Sequence, residues 1–219
     1  MSALYTAGWI LTRAVCTTYF HCRYHNPERV PTTGPAILAA NHSSYLDPPL
    51  VGAGLRRELN YLARESLFRL PVFGAILRQV NSVPVDREGG GAAGLRAILD
   101  RLLHGGAILL FPEGTRSPDG QLRRPRSGIG LTVIKSTAPV VPVRVFGTFE
   151  AWGKHRRFPR PIRVQVKYGL PIAFHTLRAE AGTCSKSRLK SIYQEVADEV
   201  MAAIRALQPF TEHDQFPQP

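Results

Sequence analysis

His42 and Asp47 lie five positions apart within residues 41–47, and Pro48 follows directly. On a regular α-helix five positions correspond to about 500° of rotation, so the two side chains would point about 140° apart. Because Pro48 disfavours helical geometry at Asp47, a turn that brings the imidazole to the carboxylate is more natural. A carboxylate bound to one imidazole nitrogen leaves the other nitrogen free to act as a base. Alternatively, Asp47 is the N-cap of a helix starting at Pro48, and His42 is an ordinary loop residue.

Residues 111–117 read Phe-Pro-Glu-Gly-Thr-Arg-Ser and directly follow an apolar run that is typical of a buried strand. Arg116 offers a planar fork that matches a phosphate, and Gly114 lets the backbone approach a ligand closely. Arg64 and Arg87 also end predicted strands. Three arginines at neighbouring strand ends favour an anion pocket, although each alone is as well explained as a solvated surface charge. For residues 111–117 the alternative is a surface turn with a Glu–Arg ion pair.

Short apolar runs alternate with stretches of helical periodicity, which predicts an α/β fold with a mostly parallel central sheet flanked by helices. Strands are predicted at residues 36–40, 59–63, 82–86, 107–111, 139–145 and 162–168. Helices are predicted at 48–55, in pieces over 67–80, and at 92–103, 128–136 and 187–207. Residues 23–35 are predicted to be a connector. The turn at 41–47 then follows the carboxyl end of a strand, where open α/β sheets bind ligands.

The N-terminal segment is apolar and aromatic, but Arg13 interrupts it. It is shorter than the about 20 apolar residues that span a bilayer, and it lacks the features of a signal peptide. We expect an interfacial helix that lies in or against a membrane; the alternative is a helix packed on its own domain. The predicted organisation is a membrane-associated helix and connector at 1–28, a main domain at 29–208 and a loose tail at 209–219.

The chain has 219 residues and a formal net charge of +12. This charge indicates an anionic partner, which leaves nucleic acid, an anionic membrane surface and phosphorylated substrates as alternatives. The basic run at 152–160 allows the same choice between nucleic acid and lipid, or a solvated loop. His21, Cys22 and His25 lie close together, but no second pair with zinc-like spacing accompanies them, so no metal site is expected.

Four ordered stretches resemble the motifs of the glycerolipid acyltransferase family, which includes the 1-acylglycerol-3-phosphate acyltransferases. They are residues 41–47, 70–74 with 83–87, 111–117 and 140–143. The resemblance covers roughly residues 30 to 170. It implies transfer of an acyl group from acyl-CoA or acyl carrier protein to the hydroxyl of a lysophospholipid. It also implies that no cofactor, no metal and no covalent acyl-enzyme is needed.

The same resemblance implies that His42 is the general base and that Asp47 orients it. The substrate-binding residues it implies are Arg64, Gly74, Arg87, Phe111, Pro112, Glu113, Gly114, Thr115, Arg116 and Pro142. Among these, Gly74 would shape the pocket and Pro142 would help to form the acyl site. We expect backbone N–H groups near the start of the helix at Pro48 to donate to the developing oxyanion.

The sequence thus predicts an O-acyltransferase that converts 1-acylglycerol-3-phosphate to phosphatidate at the cytoplasmic face of a membrane. Other acceptors remain as alternatives, namely glycerol-3-phosphate, an ornithine-type lysolipid or another lysolipid. A basic module that binds nucleic acid is a remote alternative, and no nucleic-acid partner is expected.

Overall fold

The structure is a computed structural model that describes residues 3–85 and 92–210. Its strands are β1 (Arg23–His25), β2 (Ala36–Ala40), β3 (Leu59–Arg64), β4 (Ser82–Val85), β5 (Ala107–Leu110), β6 (Val140–Phe146) and β7 (Gln165–Tyr168). Its helices are α1 (Ala3–Thr18), α2 (Asp47–Ala53), α3 (Glu65–Phe68), α4 (Pro71–Gln79), α5 (Ala92–Leu103), α6 (Gly128–Lys135), α7 (Thr148–Trp152), α8 (His175–Ala181) and α9 (Lys186–Ala206). A short 3₁₀ turn covers Pro27–Arg29.

One sheet holds all seven of these strands, in the order β1-β7-β6-β2-β5-β3-β4. Every neighbouring pair is parallel except β6 with β7, so the predicted mostly parallel sheet is confirmed. The prediction that residues 23–35 are only a connector is wrong, because Arg23–His25 form β1 beside β7. A strand of three residues at a sheet edge is too short to show a hydrophobic period, so the sequence gives no sign of it.

The turn at residues 41–47 directly follows β2, the central strand of the sheet. The five consecutive apolar residues of β2 are all fully buried, as expected for a parallel strand with both faces covered. Leu38 packs on the face shared with α1 and α2, whereas Ile37 and Ala39 pack on the opposite face with α5, α6 and α9. The turn that follows Ala40 therefore starts from one of the most enclosed points of the molecule.

The second face of the sheet is covered mainly by α9, whose buried residues recur at helical spacing. They are Ile192, Val196, Ala197, Val200, Met201 and Ile204. α6 approaches α9 so closely that a Cβ atom on Gly130 would overlap the backbone carbonyl oxygen of Tyr193. The helix predicted at 187–207 is confirmed, and Ser185 caps it by accepting a hydrogen bond from the Arg188 N–H at 3.2 Å.

The N-terminal helix α1 packs against α2 with one face and leaves the other face bare. Cys16, within α1, and Phe20, just after it, join the buried core. The Arg13 guanidinium donates to the Ala53 carbonyl at 2.7 Å. The opposite face carries the exposed apolar side chains Leu4, Ile10, Leu11 and Val15, which are 45–67% exposed. Among the described residues, no helix combines the length and the apolar character needed to cross a membrane. α1 thus shares its core with the domain predicted at 29–208.

Residues 211–219 lie outside the described part of the chain, so the loose tail predicted at 209–219 stays a prediction. Its first part is packed: the Phe210 ring stacks on the His25 ring with centroids 4.6 Å apart. The Phe210 N–H also donates to the Gln165 side chain at 2.9 Å.

Candidate active site

The turn after β2 brings His42 and Asp47 into direct contact, with 2.8 Å between His42 Nδ1 and Asp47 Oδ2. Asp47 is fully buried, and the same oxygen accepts the backbone N–H groups of Ser43 at 2.7 Å and Ser44 at 2.8 Å. The other oxygen accepts the Thr148 hydroxyl at 2.6 Å. Because an ionised carboxylate can only accept hydrogen bonds, the proton between the two groups belongs to His42 Nδ1. His42 Nε2 then has a free lone pair and can act as a general base.

The alternative role of Asp47 as a helix N-cap is wrong. Leu46 occupies the N-cap position of α2, and the backbone donors to the Asp47 carboxylate precede the helix. The expected oxyanion donors are also missing from residues 48–50. Pro48 and Pro49 have no N–H group, and the Leu50 N–H donates to the Leu46 carbonyl at 3.0 Å.

The His42 ring is fixed from a second side by the segment after β5. It stacks on the Phe111 ring with centroids 3.9 Å apart and an interplanar angle of 16°. The His42 N–H donates to Glu113 Oε1 at 3.0 Å, and the His42 carbonyl accepts the Ser117 N–H at 2.7 Å. The imidazole is therefore held by its backbone, its ring face and Nδ1, with 15% of the side chain exposed.

Glu113 braces the two loops from behind the site. It is 3% exposed, and its second oxygen accepts the Arg123 N–H at 3.3 Å. Burial is the main reason why the pKa of the Glu113 carboxyl is raised from its usual 4.5. Pro112 is buried too, and its carbonyl accepts the Arg126 N–H at 2.8 Å. The structure thus places both residues where they support the loop, not where they line the cavity.

A cavity of ≈ 810 Å³ opens in front of His42. Its wall includes the polar and charged residues Arg64, Thr115, Arg116 and Lys154. The remaining wall is mainly apolar and comes from α1, α2, β3, α3 and α4; it includes Trp9, Pro48, Pro49, Ala53, Leu62, Ala63, Leu67 and Leu77. A wall with both cationic and apolar side chains suits a molecule that has an anionic group and an apolar part.

Arg116 is the cation best placed for an anion in this cavity. Its guanidinium carbon lies 3.5 Å from the centroid of the Tyr45 ring, and its Nη1 is buried without a hydrogen-bond partner among the described residues. No carboxylate in that part of the chain forms an ion pair with it. A buried donor without a hydrogen-bond partner is unfavourable. An anion that binds Arg116 would supply the missing hydrogen bond.

Some predicted site residues lie elsewhere. Gly74 allows α4 to approach the end of α3, because a Cβ atom there would overlap the Phe68 carbonyl oxygen. Pro142 lies within β6 beside Ala39, on the sheet face covered by α9, and its carbonyl accepts the Gly169 N–H at 2.7 Å. Neither residue lines the cavity.

Two further predicted residues need separate mention. Gly114 is exposed at a φ of 71°, in the left-handed region that favours glycine, and it shapes the loop without lining the cavity. Arg87 lies outside the described residues. A second cavity, of ≈ 560 Å³, opens at the opposite edge of the sheet beside Arg57 and His104, and contains none of the predicted site residues.

Sequence reasoning missed several residues that complete the site. Thr148 contacts Asp47 from 101 positions away, and nothing near it in the sequence indicates this role. Asn41 uses both side-chain atoms on the Val145 backbone, at 2.7 and 3.0 Å, which ties the turn to β6. Tyr45 and Lys154 line the cavity. Lys154 belongs to the basic run at 152–160, but nothing in the sequence indicates that this run lies beside the turn at 41–47.

Comparison with known proteins identifies a family and similar proteins. The family model Acyltransferase matches residues 21–146. The 1-acyl-sn-glycerol-3-phosphate acyltransferase of Bacillus subtilis is 31% identical over 127 residues, which are 57% of this chain and 62% of that protein. The protein of the same name from Cocos nucifera is 31% identical over 143 residues, 63% of this chain and 46% of that protein. The chain thus matches less than two thirds of the length of either relative.

A solved structure, that of the 1-acyl-sn-glycerophosphate acyltransferase PlsC from Thermotoga maritima, is also similar. It superposes with a TM-score of 0.71 at 26% identity, and the match covers 94% of this chain and 81% of that one. The family predicted from the four motifs is confirmed: this chain belongs to the Acyltransferase family.

Proposed function

We propose that the protein transfers a fatty acyl group from a thioester, acyl-CoA or acyl carrier protein, to the free hydroxyl of 1-acylglycerol-3-phosphate. The product would be phosphatidate. One observation carries the proposal: a histidine bound to a buried carboxylate shares a cavity with a guanidinium that has no ion-pair partner among the described residues. The names of the similar proteins support the same acceptor.

In the proposed reaction, His42 Nε2 takes the proton of the acceptor hydroxyl while that oxygen attacks the thioester carbonyl. The new C–O bond gives a tetrahedral intermediate, which collapses as the C–S bond breaks. The imidazolium then returns the proton to the leaving thiolate, so the products are an ester and a free thiol. Asp47 favours the imidazolium in between, because its charge faces Nδ1 at 2.8 Å.

The acceptor's phosphate would bind Arg116, with Thr115 and Arg64 in the same wall. A guanidinium fork matches a phosphate in two parallel hydrogen bonds, which fixes the position of the acceptor as well as its charge. The apolar part of the cavity would hold an acyl chain, since burying methylene groups is favourable by about 0.8 kcal/mol each.

Exposed apolar side chains support association with a membrane. α1 and α4 each contribute to the cavity wall, and each also carries exposed apolar side chains. On α1 these include Leu11 at 67%, and on α4 they include Val72 at 75% and Ile76 at 51%. Together with a net charge of +12, these exposed apolar side chains fit an anionic membrane surface, and we propose its cytoplasmic face, where thioester donors occur.

Purified protein incubated with lysophosphatidate and either acyl-CoA or acyl carrier protein thioester, with products identified by mass spectrometry, tests this function. His42→Ala is expected to lower kcat by about 10²- to 10⁴-fold. Arg116→Ala is expected to raise KM for lysophosphatidate, whereas Arg101→Ala, an exposed arginine at the other edge of the sheet, is the matched control.

The acceptor panel should include monoacylglycerol, glycerol-3-phosphate and an ornithine-type lysolipid. Equal use of monoacylglycerol and lysophosphatidate would contradict the phosphate site. Turnover of glycerol-3-phosphate or the ornithine lipid alone would move the proposal to that acceptor. Full activity of the His42 variant would refute the assigned base.

A further inference from the structure

Tyr45 lies in the catalytic turn between His42 and Asp47, yet its ring does not enter the core. The residue is 56% exposed and lines the cavity. The ring faces the Arg116 guanidinium carbon at 3.5 Å from its centroid.

The position of the Tyr45 ring is fixed by its neighbours. Ser44 is fully buried; its hydroxyl donates to the Trp152 carbonyl at 2.7 Å and accepts the Leu46 N–H at 3.1 Å. A β-bridge between Ser44 and Gly153 joins the same two segments. The Trp152 ring lies 5.5 Å from the Tyr45 ring, tilted by 50°. The turn therefore carries its own support for the tyrosine.

Arg116 needs such a support because the protein gives its guanidinium no acidic partner among the described residues. An ion pair with a carboxylate would fix the fork but would also neutralise the charge that a phosphate needs. Stacking on an aromatic face restricts the plane of the guanidinium and leaves the N–H groups at its edge free. The buried and unpaired Nη1 shows that at least one of these N–H groups is in fact unused.

We propose that Tyr45 is a positioning residue that selects acceptors carrying a phosphate monoester, by holding the Arg116 fork beside the catalytic turn. The proposal rests on the function proposed above. Because Tyr45 acts through Arg116 and not on the reacting atoms, its loss should raise KM for lysophosphatidate and leave kcat unchanged. An acceptor without phosphate should not sense the change.

The experiment compares Tyr45→Phe, Tyr45→Ala, Arg116→Ala and the double variant in steady-state assays with lysophosphatidate and monoacylglycerol. Tyr45→Phe keeps the ring and is expected to behave as the unmodified protein. Tyr45→Ala is expected to raise KM for lysophosphatidate by about 3- to 10-fold. In the Arg116→Ala background it should add nothing. Phe146→Ala is the matched control, because Phe146 contacts Arg144 at 5.1 Å and neither residue lines the cavity.

Three results would overturn the role of Tyr45. They are an equal KM rise for Phe and Ala, an equal rise with monoacylglycerol, or a further rise in the Arg116→Ala background. Thermal unfolding of each variant separates these results from a loss of folded protein. If Arg116→Ala raises KM and Tyr45→Ala does not, only the proposal for Tyr45 fails. If Arg116→Ala itself leaves KM unchanged, the phosphate site of the proposed function fails.

Discussion

Replacement of Asp47 by asparagine removes one charge from the centre of the site and keeps nearly the same shape. The oxygen that contacts His42 also accepts two backbone N–H groups, from Ser43 and Ser44. These donors will select the amide oxygen for that position, so the histidine keeps its tautomer. The amide nitrogen then faces Thr148, whose hydroxyl can reverse and accept. The variant should therefore fold.

The magnitude follows from the charge that is lost. Two unit charges about 4 Å apart interact by about 4 kcal/mol at an effective dielectric constant of about 20. The amide dipole retains part of this interaction with the imidazolium, so we expect kcat to fall by about 10²- to 10³-fold, where 1.36 kcal/mol corresponds to a factor of 10. KM for lysophosphatidate should change little, because Asp47 is buried and does not line the cavity.

The assay is release of free thiol from the acyl donor, followed together with the unfolding temperature of each variant. Asp47→Ala is the comparison, since it leaves two backbone N–H groups and the Thr148 hydroxyl without their acceptor. It should lose stability by about 1–3 kcal/mol for each buried group left unpaired, whereas Asp47→Asn should lose much less. A kcat within a factor of three of the unmodified protein for a folded Asp47→Asn variant would refute the charge-based role.

Three other changes test other parts of the structure. Glu113→Gln removes a carboxyl whose pKa in the folded protein is raised above 4.5. The unfolding free energy of the unmodified protein minus that of the variant should therefore fall as the pH rises from 4.5 through the raised pKa. A difference that stays constant with pH contradicts this. Gly130→Ala places a Cβ atom on the Tyr193 carbonyl and should destabilise the protein by about 1–3 kcal/mol in urea unfolding, with unchanged stability as the opposing result. Phe111→Leu removes the ring that stacks on His42 and should lower kcat while KM changes little. A raised KM with unchanged kcat would instead make Phe111 a substrate contact.

The parts of the fold that could be predicted from sequence are those in which a local pattern and the tertiary environment agree. β2 is such a case, because five apolar residues between turn residues have no other place than a covered sheet. The His42–Asp47 contact was predicted as well, but the reason given for it was only partly right. Asp47 is the first residue of α2 despite Pro48, and the turn lies before it.

The parts that could not be predicted depend on contacts between distant segments. Thr148 reaches Asp47 only because β6 lies beside β2, and a single sequence does not reveal strand order. The motif at 111–117 mixes two kinds of residue: Arg116 lines the cavity, whereas Glu113 faces backbone donors behind it. Both residues belong to the same short motif, so the sequence does not show which of them faces the cavity, and only the three-dimensional structure does.

The packing of α1 has a practical consequence for experiments that test the proposed membrane association. The Tyr5 hydroxyl accepts the N–H of Leu59, the first residue of β3, at 3.0 Å, and Trp9 forms part of the cavity wall. Removing α1 would therefore take away part of the cavity wall and the hydrogen-bond acceptor of the Leu59 N–H at the start of β3. Polar substitutions at Leu11 and Val15, on the exposed face of the helix, would leave the cavity wall unchanged and would test the proposed membrane contact by itself.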